Sequence, residues 1–588
     1  MNENLKYSYI VDVDRAIESL KDFEKDKYIF LDTEVAVKSF KDIDFFQDKV
    51  RLVQIGNREK TYIYDMFRIP EFSKHLKKLL ESKGVVGHNL KFDIKFLKTN
   101  FDIFPQIVFD TMIASQLLSE NEREKHSLQA VTYRLTDDEL DKTQQSSAWG
   151  LRNLSKEQID YAAKDVQALR DIFPILRDRL NNIKTPHKAT GIIHETFSLD
   201  NAAAVVEMAF VPQLALIELT GMPVDEKVLK DQLQKVSSDY QRMYIDFVRK
   251  YGVDPFSPHK ITYWLSTKLG LKLPKTQKGS LSSQDSALRK YIDREEVKQL
   301  VEIRSTKKIL DKLKELSSHT KNGRIYSEFK QIGAPTGRMA SSRPNLQNIT
   351  RELRKLFKTP EGRSLIVADY SQIELRIAAE YVGDNTMIKA FSEGKDLHKF
   401  TASLILGKPY EDVTKEERQM AKAINFGLIY GISPKSLMEY ARNNYSIDIS
   451  MKEAQKFHER FFEVYSGFKN WHDRVKQDLS KKHSLVVYSL LGRRMVVHRF
   501  TEAVNFPIQA TGSDLLKMAV VFFGKLKNDL DAQIVNLVHD EIIVESSEEN
   551  SQKAKEILSQ SMLKAGKILL RKVPVEFEVE IVGTWADK

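Results

Sequence analysis

Hydrophobic and polar positions along the chain fall into two alternating periods. Over the first ~180 residues, short β-branched or aromatic runs ("YIFLDTEVAV" from Tyr28, "RLVQIG" from Arg51, "TYIYDMF" from Thr61, "GVVGHNL" from Gly84) predict strands. Between them lie stretches with 3/4 apolar spacing, "LKKLLESK" and "DVQALRDIFPILRDRL", which predict helices. That alternation predicts a mixed α/β domain. Periodicity fades in "NNIKTPHKATGIIHETFSLDN" (181–201), so the domain is expected to end near 190. From 203 to 320 the pattern is helical, including "EEVKQLVEIRSTKKILDKLKELSSH", and reads as a projecting arm. Strand-like runs follow after 324 ("RIYSEFKQIG", "SLIVADYSQIEL"), then a helical block over 386–484, then strands again ("SLVVYSLLGRRMVV", "QIVNLVHDEIIVE", "PVEFEVEIVG"). A sheet interrupted by helices predicts a platform (321–385 and 485–588) carrying an inserted subdomain (386–484).

Length strengthens this division, because 588 residues exceed what one hydrophobic core serves. Composition adds exclusions. There is no cysteine, so disulfides, thiolate nucleophiles and Cys-ligated metals are out, and any metal must sit on oxygen or imidazole. Lys plus Arg number 92 against 82 Asp plus Glu, a formal charge of +10 that suits a polyanionic partner but equally suits a solvated Lys-rich surface. No run approaches the ~20 apolar residues of a membrane span, and the start lacks signal-peptide character. A soluble, mature chain is expected.

The carboxylates change the picture more. Asp32 and Glu34 stand two apart as the first strand ends, on one face of an extended segment. Asp93 follows a strand and turn in "HNLKFD", and Tyr161 and Asp165 stand four apart on a helical face in "YAAKD". Four carboxylates and a tyrosine are the inventory for two metal ions and an oriented water that cuts a phosphodiester. His88, within the second motif, reads as structural.

In the C-terminal half Asp369 closes an apolar strand, with Glu374 five residues on. "NLVHDEIIVE" reads as two strands joined by a tight hairpin whose tip lifts Asp540 and Glu541 out of the apolar run. In "ERQMAKAINFGLIYG" the residues Arg418, Lys422, Phe426 and Tyr430 recur every fourth position, two cations and then two aromatics along one helical stripe. Such a stripe suits a nucleoside triphosphate: the cations for its oxygens, Phe426 for its base.

"DTE", "HNLKFD" and "YAAKD" resemble, in this order, the three motifs of DnaQ-like 3′→5′ exonucleases. "TGRMASSRPNLQNI", "DYSQIELR", "RQMAKAINFGLIYG", "NFPIQATGSD" and "VHDE" resemble the motifs of family A DNA polymerases. The nearest likeness is to the short members from Aquifex-type bacteria, thermophilic viruses and apicomplexan plastids, which start at the exonuclease and lack a 5′ nuclease domain.

The resemblance implies a DnaQ/RNase H-like exonuclease domain (1–190) followed by a right-hand polymerase (191–588): thumb 203–320, palm 321–385 and 485–588, fingers 386–484. It implies Asp32, Glu34, Asp93 and Asp165 as metal ligands with Tyr161 orienting the water. In the polymerase it implies Asp369, Asp540 and the Tyr370 backbone as ligands of two Mg²⁺ ions, with Mn²⁺ as a substitute. Lys422 is then the proton donor to pyrophosphate; Arg418, Lys422, His398 and Gln372 contact the nucleotide. Phe426 and Tyr430 hold the base, and Glu374 excludes a 2′-hydroxyl. Arg338, Asn345, Gln347, Gln509 and His539 grip primer–template, and Glu541 assists.

Three departures stand out: Val35 where Thr is frequent, Ala510 and Ser513 where "QGTGAD" is frequent, and Phe426 in place of Tyr, which implies discrimination against dideoxynucleotides. The expected partners are primer–template DNA and dNTPs, with no membrane, for a monomer in a bacterial or host cytoplasm or, alternatively, an apicomplexan plastid. The rival readings are an exoribonuclease with a C-terminal half that only binds nucleic acid, and a non-enzymatic scaffold, which has no use for metal ligands in both halves.

Overall fold

The computed structural model describes residues 6–588 apart from 40, 42, 120–123, 188–190, 277 and 446. They form two compact units. One comprises 1–220, 329–340 and 366–581, and the other 221–328, 341–365 and 582–588.

The first unit opens with a six-stranded sheet in the order Ser8–Ile10, Thr61–Asp65, Lys49–Gly56, Tyr28–Ala36, Gly84–Gly87, Val108–Asp110. Tyr28–Ala36 lies inside it, antiparallel to Lys49–Gly56 and parallel to Gly84–Gly87. Covered on both faces, it reads as an almost unbroken apolar run rather than an alternating one. The strand does not stop before the acids, as the sequence suggested, but carries Asp32 and Glu34 within it and bulges after Glu34. Its inner face is packed by the helix Lys156–Asn181, which starts at a capping box of Ser155 and Gln158 and buries Tyr161, Asp165 and Val166.

A second sheet, of four strands, runs in the order Ala532–Val538, Glu541–Ser547, Arg363–Tyr370, Phe577–Val582. Its first two strands are antiparallel and joined by His539 and Asp540 alone. His539 adopts φ +55°, the left-handed backbone a two-residue hairpin turn demands. The expected hairpin is therefore present, with Asp540 in the turn and Glu541 as the first, buried residue of the returning strand. The helices Phe500–Leu526 and Glu548–Leu569 pack on each other beside this sheet. The helical block expected over 386–484 is present as the run of helices from Asn385–Ser392 to Ser466–Lys482.

The second unit is built on the paired helices Glu226–Tyr251 and Glu295–Ser318, with a core of Phe247, Ile261, Trp264, Leu265, Leu300 and Ile303.

Three expectations need correction. The expected boundary at 190/191 abuts residues 188–190, outside the described set, and the first compact unit continues through it to Thr220. The arm does not begin at 203. The helix Ala202–Thr220 packs against the helices Leu90–Phe101 and Phe500–Leu526, so it is core of the first unit, and the second unit begins at Gly221. This helix is also long and apolar enough to cross a membrane, contrary to the expectation that no segment is. Most of it is buried within the protein, and its acids Glu207 and Glu218 are in ion pairs, the signature of a core helix.

Candidate active sites

In the N-terminal half, the strand Tyr28–Ala36 supplies Asp32 and Glu34 and the helix Lys156–Asn181 supplies Asp165. One oxygen from each lies within 4.8 Å of the others. Three hard oxygens converging at that spacing fit a small divalent cation. Burial, then repulsion from Asp165 and Asp93, pushes Asp32 well above the usual carboxylate range; burial, then Asp32 and Asp165, does the same to Glu34. Only a counter-charge makes such a cluster tolerable when ionised.

Asp93 is close but separate. It sits in the first turn of Leu90–Phe101, where one oxygen accepts a 2.6 Å hydrogen bond from Thr33 Oγ1, and burial lifts it to about 7. The sequence-expected quartet is therefore three converging ligands and a fourth held to one side by Thr33.

Tyr161 lies one helical turn from Asp165; burial and the three acids push its phenol far above its ordinary value, so it keeps its proton. Sequence reasoning missed Lys142. Its Nζ lies 3.1 Å from both oxygens of Asp165 and 3.1 Å from Tyr161 Oη. Nothing in "DKTQQ" marks it, because a lysine in an aperiodic loop is indistinguishable from the chain's many surface lysines. His88 is half-buried, with Nδ1 2.9 Å from Thr111 Oγ1. Val35 faces the core, so no polar contact to the ligands departs with the missing hydroxyl.

In the C-terminal half, the end of the strand Arg363–Tyr370 brings Asp369 near Asp540 of the adjacent hairpin turn. Burial, then the charge of Asp369, raises Asp540 to about 7. Glu374, in the first turn of the helix Ile373–Val382, pairs through its two oxygens with Arg338 and with Tyr430 Oη. Gln372 caps that helix in a left-handed conformation (φ +52°), with a buried Oε1 lacking a hydrogen-bond partner. Tyr370 is buried, its hydroxyl donating to the Met562 carbonyl at 2.9 Å, which pins the strand end next to Asp369.

Arg418, Lys422 and Phe426 occupy the helix Lys415–Ile429, and Tyr430 is its C-cap; all four are half-buried along one stripe. Asp396 holds the Arg418 guanidinium at 3.0 and 2.7 Å. His398 is different. It is 3% exposed, 3.0 Å from Asn425 Nδ2, and its ring packs on Phe426. Burial lowers it to about 4, so it is neutral and sits behind the stripe instead of on it.

Arg338 follows Gly337, whose carbonyl accepts from Ser513 Oγ (2.7 Å) and Lys517 Nζ (2.7 Å). The departure at Ser513 thus adds a hydrogen bond to the backbone beside Arg338. Gln509 lies half-buried on the same helix as Ser513, and His539 stands exposed at the hairpin turn. Asn345 and Gln347 belong to the second unit, where Asn345 Oδ1 accepts from the Gln347 amide and Gln347 Oε1 from the Ser341 amide.

Residues 226–587 match the family model described as DNA polymerase family A, and residues 8–181 match that of a 3′-5′ exonuclease. The chain belongs to DNA polymerase family A. DNA polymerase I of Aquifex aeolicus is 49% identical over 586 residues, covering 99% of this chain and all of that protein. DNA polymerase I of Pseudomonas aeruginosa is 29% identical over 96% of this chain but only 64% of its own length. Among solved structures, the POL domain of Pol1 from M. smegmatis, described in complex with DNA primer-template and dNTP, superposes with a TM-score of 0.81 at 24% identity, covering 98% of this chain and 99% of that one. This family A polymerase therefore carries a 3′→5′ exonuclease domain, and the exoribonuclease alternative is not favoured. Both domain types imply divalent metal. The named relatives are bacterial, which suggests a cytoplasmic protein and lends nothing to the plastid alternative.

Proposed function

We propose that the chain extends primer 3′ ends on a DNA template and removes misincorporated nucleotides at its second site, with two Mg²⁺ ions serving each site. The carrying observation is the pair Asp369 and Asp540: one carboxylate at the end of a strand and one in the hairpin turn leading into the neighbouring strand, close enough that one raises the other, in the same compact unit as the cation–aromatic stripe. The M. smegmatis neighbour's bound primer-template and dNTP support the same substrates here.

When bound, the divalent ions supply activation of the attacking oxygen and neutralisation of the transferring phosphate. Asp369, Asp540 and the Tyr370 backbone hold them in the polymerase site. Asp32, Glu34 and Asp165 hold them in the exonuclease site, with Asp93 joining from its Thr33 contact. Arg418, fixed by Asp396, and Lys422 bind triphosphate oxygens, and Lys422 gives its proton to the leaving pyrophosphate. Phe426 stacks on the incoming base with His398 behind it. The Glu374–Tyr430 pair closes the floor under the sugar and excludes a 2′-hydroxyl. Arg338, Gln509 and His539 grip the primer end, Asn345 and Gln347 contact the primer–template, and Glu541 assists from the base of the hairpin. In the exonuclease site Tyr161, kept protonated, orients the attacking water. The protein acts as a cytoplasmic monomer in replication or repair.

Primer extension and single-strand degradation, both with Mg²⁺, test the assignment. Asp540→Ala is expected to abolish extension and retain degradation, and Asp32→Ala/Glu34→Ala to do the reverse. Survival of both activities in either variant overturns it.

A further inference from the structure

Lys142 is carried by the aperiodic segment between the helices Leu128–Thr136 and Lys156–Asn181. Its ammonium is bonded to both oxygens of Asp165 at 3.1 Å, to Tyr161 Oη at 3.1 Å, and lies 5.1 Å from the centre of the Tyr161 ring. It also acts on Asp32 and Glu34, where it is the one cation among the principal influences, opposing the mutual repulsion of the acids. The segment is anchored a few residues on. Trp149 is 1% exposed, packs at 6.3 Å from the Tyr161 ring, and leaves its indole Nε1 buried without a hydrogen-bond partner.

These contacts set Lys142 against the metal. The two Asp165 oxygens that Lys142 bridges include the one converging with Asp32 and Glu34, and a cation binding there draws on the same lone pairs. An ammonium at hydrogen-bond distance cannot share them with a divalent ion, because two positive charges within ~4 Å repel by several kcal/mol at the effective dielectric of a partly buried site. We propose that Lys142 is a resident counter-ion of the exonuclease site that competes with the metal for Asp165, so that the 137–155 segment sets the metal concentration at which the exonuclease site fills. A metal entering the site must displace the ammonium. Lys142 thereby holds Asp165 and Tyr161 in register beforehand, as a positioning residue, and weakens metal binding in return.

This inference rests on the exonuclease ligands proposed above, and Mn²⁺ binding to the full chain, followed by electron paramagnetic resonance without DNA, separates the two. The class of Mn²⁺ sites lost in Asp32→Ala/Glu34→Ala is the exonuclease class; if no class is lost, the ligand assignment fails. With that class defined, Lys142→Met is expected to tighten it about tenfold, while Lys142→Arg, which keeps the charge, stays within about threefold of the parent. Affinity unchanged or weakened in Lys142→Met overturns the competition. Should that variant melt early, Lys142→Gln takes its place under the same criteria.

Discussion

Asp540 shows what a buried carboxylate beside a second acid does to its own protein. Its ordinary value of 3.8 is raised to about 7 by burial and by Asp369. Below pH ~4 both folded and unfolded chains hold the proton, and the group contributes nothing to the pH dependence. Between ~4 and ~7 the folded protein retains a proton that the unfolded chain has lost, so stability falls as pH rises through that window; above ~7 the penalty is complete, at most about 4 kcal/mol. Asp540→Asn removes it. In the presence of a chelator the variant is expected to melt several degrees above the parent at pH 8 and level with it at pH 4, by calorimetry; equal melting at pH 8 counts against the electrostatic origin. Residue chemistry of this kind was legible in the sequence wherever it lies in a short segment, as in "DTE", "YAAKD" and "VHDE". Lys142, Thr33 and Asp396 were not, because each acts through a fold-made contact with a residue 22 or more positions away (Asp165, Asp93 and Arg418 in turn) and none carries a spacing signal. His398 illustrates the converse: its motif was readable, but its burial against Phe426 was not.

At the scale of elements, the helix Ala202–Thr220 was legible as a helix and misplaced as a part of the arm. Its apolar residues run all the way round, and such a helix is buried on every side; periodicity says that it needs partners, not which ones. One of them is polar. Glu207, fully buried, pairs with Arg493, with Lys517 Nζ at 2.6 Å, and with Gln331 Nε2 at 2.6 Å. Arg493 also meets Asp514 at 2.6 Å, and Lys517 donates to the Gly337 carbonyl. One acid on this helix thus ties the Phe500–Leu526 helix to the segment that presents Arg338. Removing it leaves Lys517 buried without a carboxylate partner and Arg493 with Asp514 alone, at a cost of ~3–5 kcal/mol. Glu207→Ala is expected to lower the opening free energy of amides in Ala202–Thr220 and Phe500–Leu526 by that amount in native-state hydrogen exchange. A loss below ~1 kcal/mol would mean that the network is dispensable. Primer extension by the same variant should fall further than exonuclease activity, since the carbonyl next to Arg338 loses its anchor.

For the whole molecule, the sequence predicted several domains from length and period changes, and contact density resolves two units. The exonuclease, palm and fingers share one continuous apolar cluster, running from Ile10 to Val573, because Ala202–Thr220 belongs to the packing of both halves. No local pattern announces such sharing; it is a property of which surfaces meet. The second unit has its own smaller cluster around Phe247, Trp264 and Ile303, on helices whose outer faces are charged. Burying less apolar surface per residue gives a smaller margin over chain entropy, and a unit with a separate core opens separately. Hydrogen exchange in increasing urea is therefore expected to show the helices Glu226–Tyr251 and Glu295–Ser318 losing protection together, at lower urea than the strands Tyr28–Ala36 and Ala532–Val538, which should lose theirs as one group. Simultaneous loss in all four segments would make the chain a single cooperative unit. Loss in Tyr28–Ala36 well before Ala532–Val538 would split the exonuclease from the palm and remove the bridging role assigned to Ala202–Thr220.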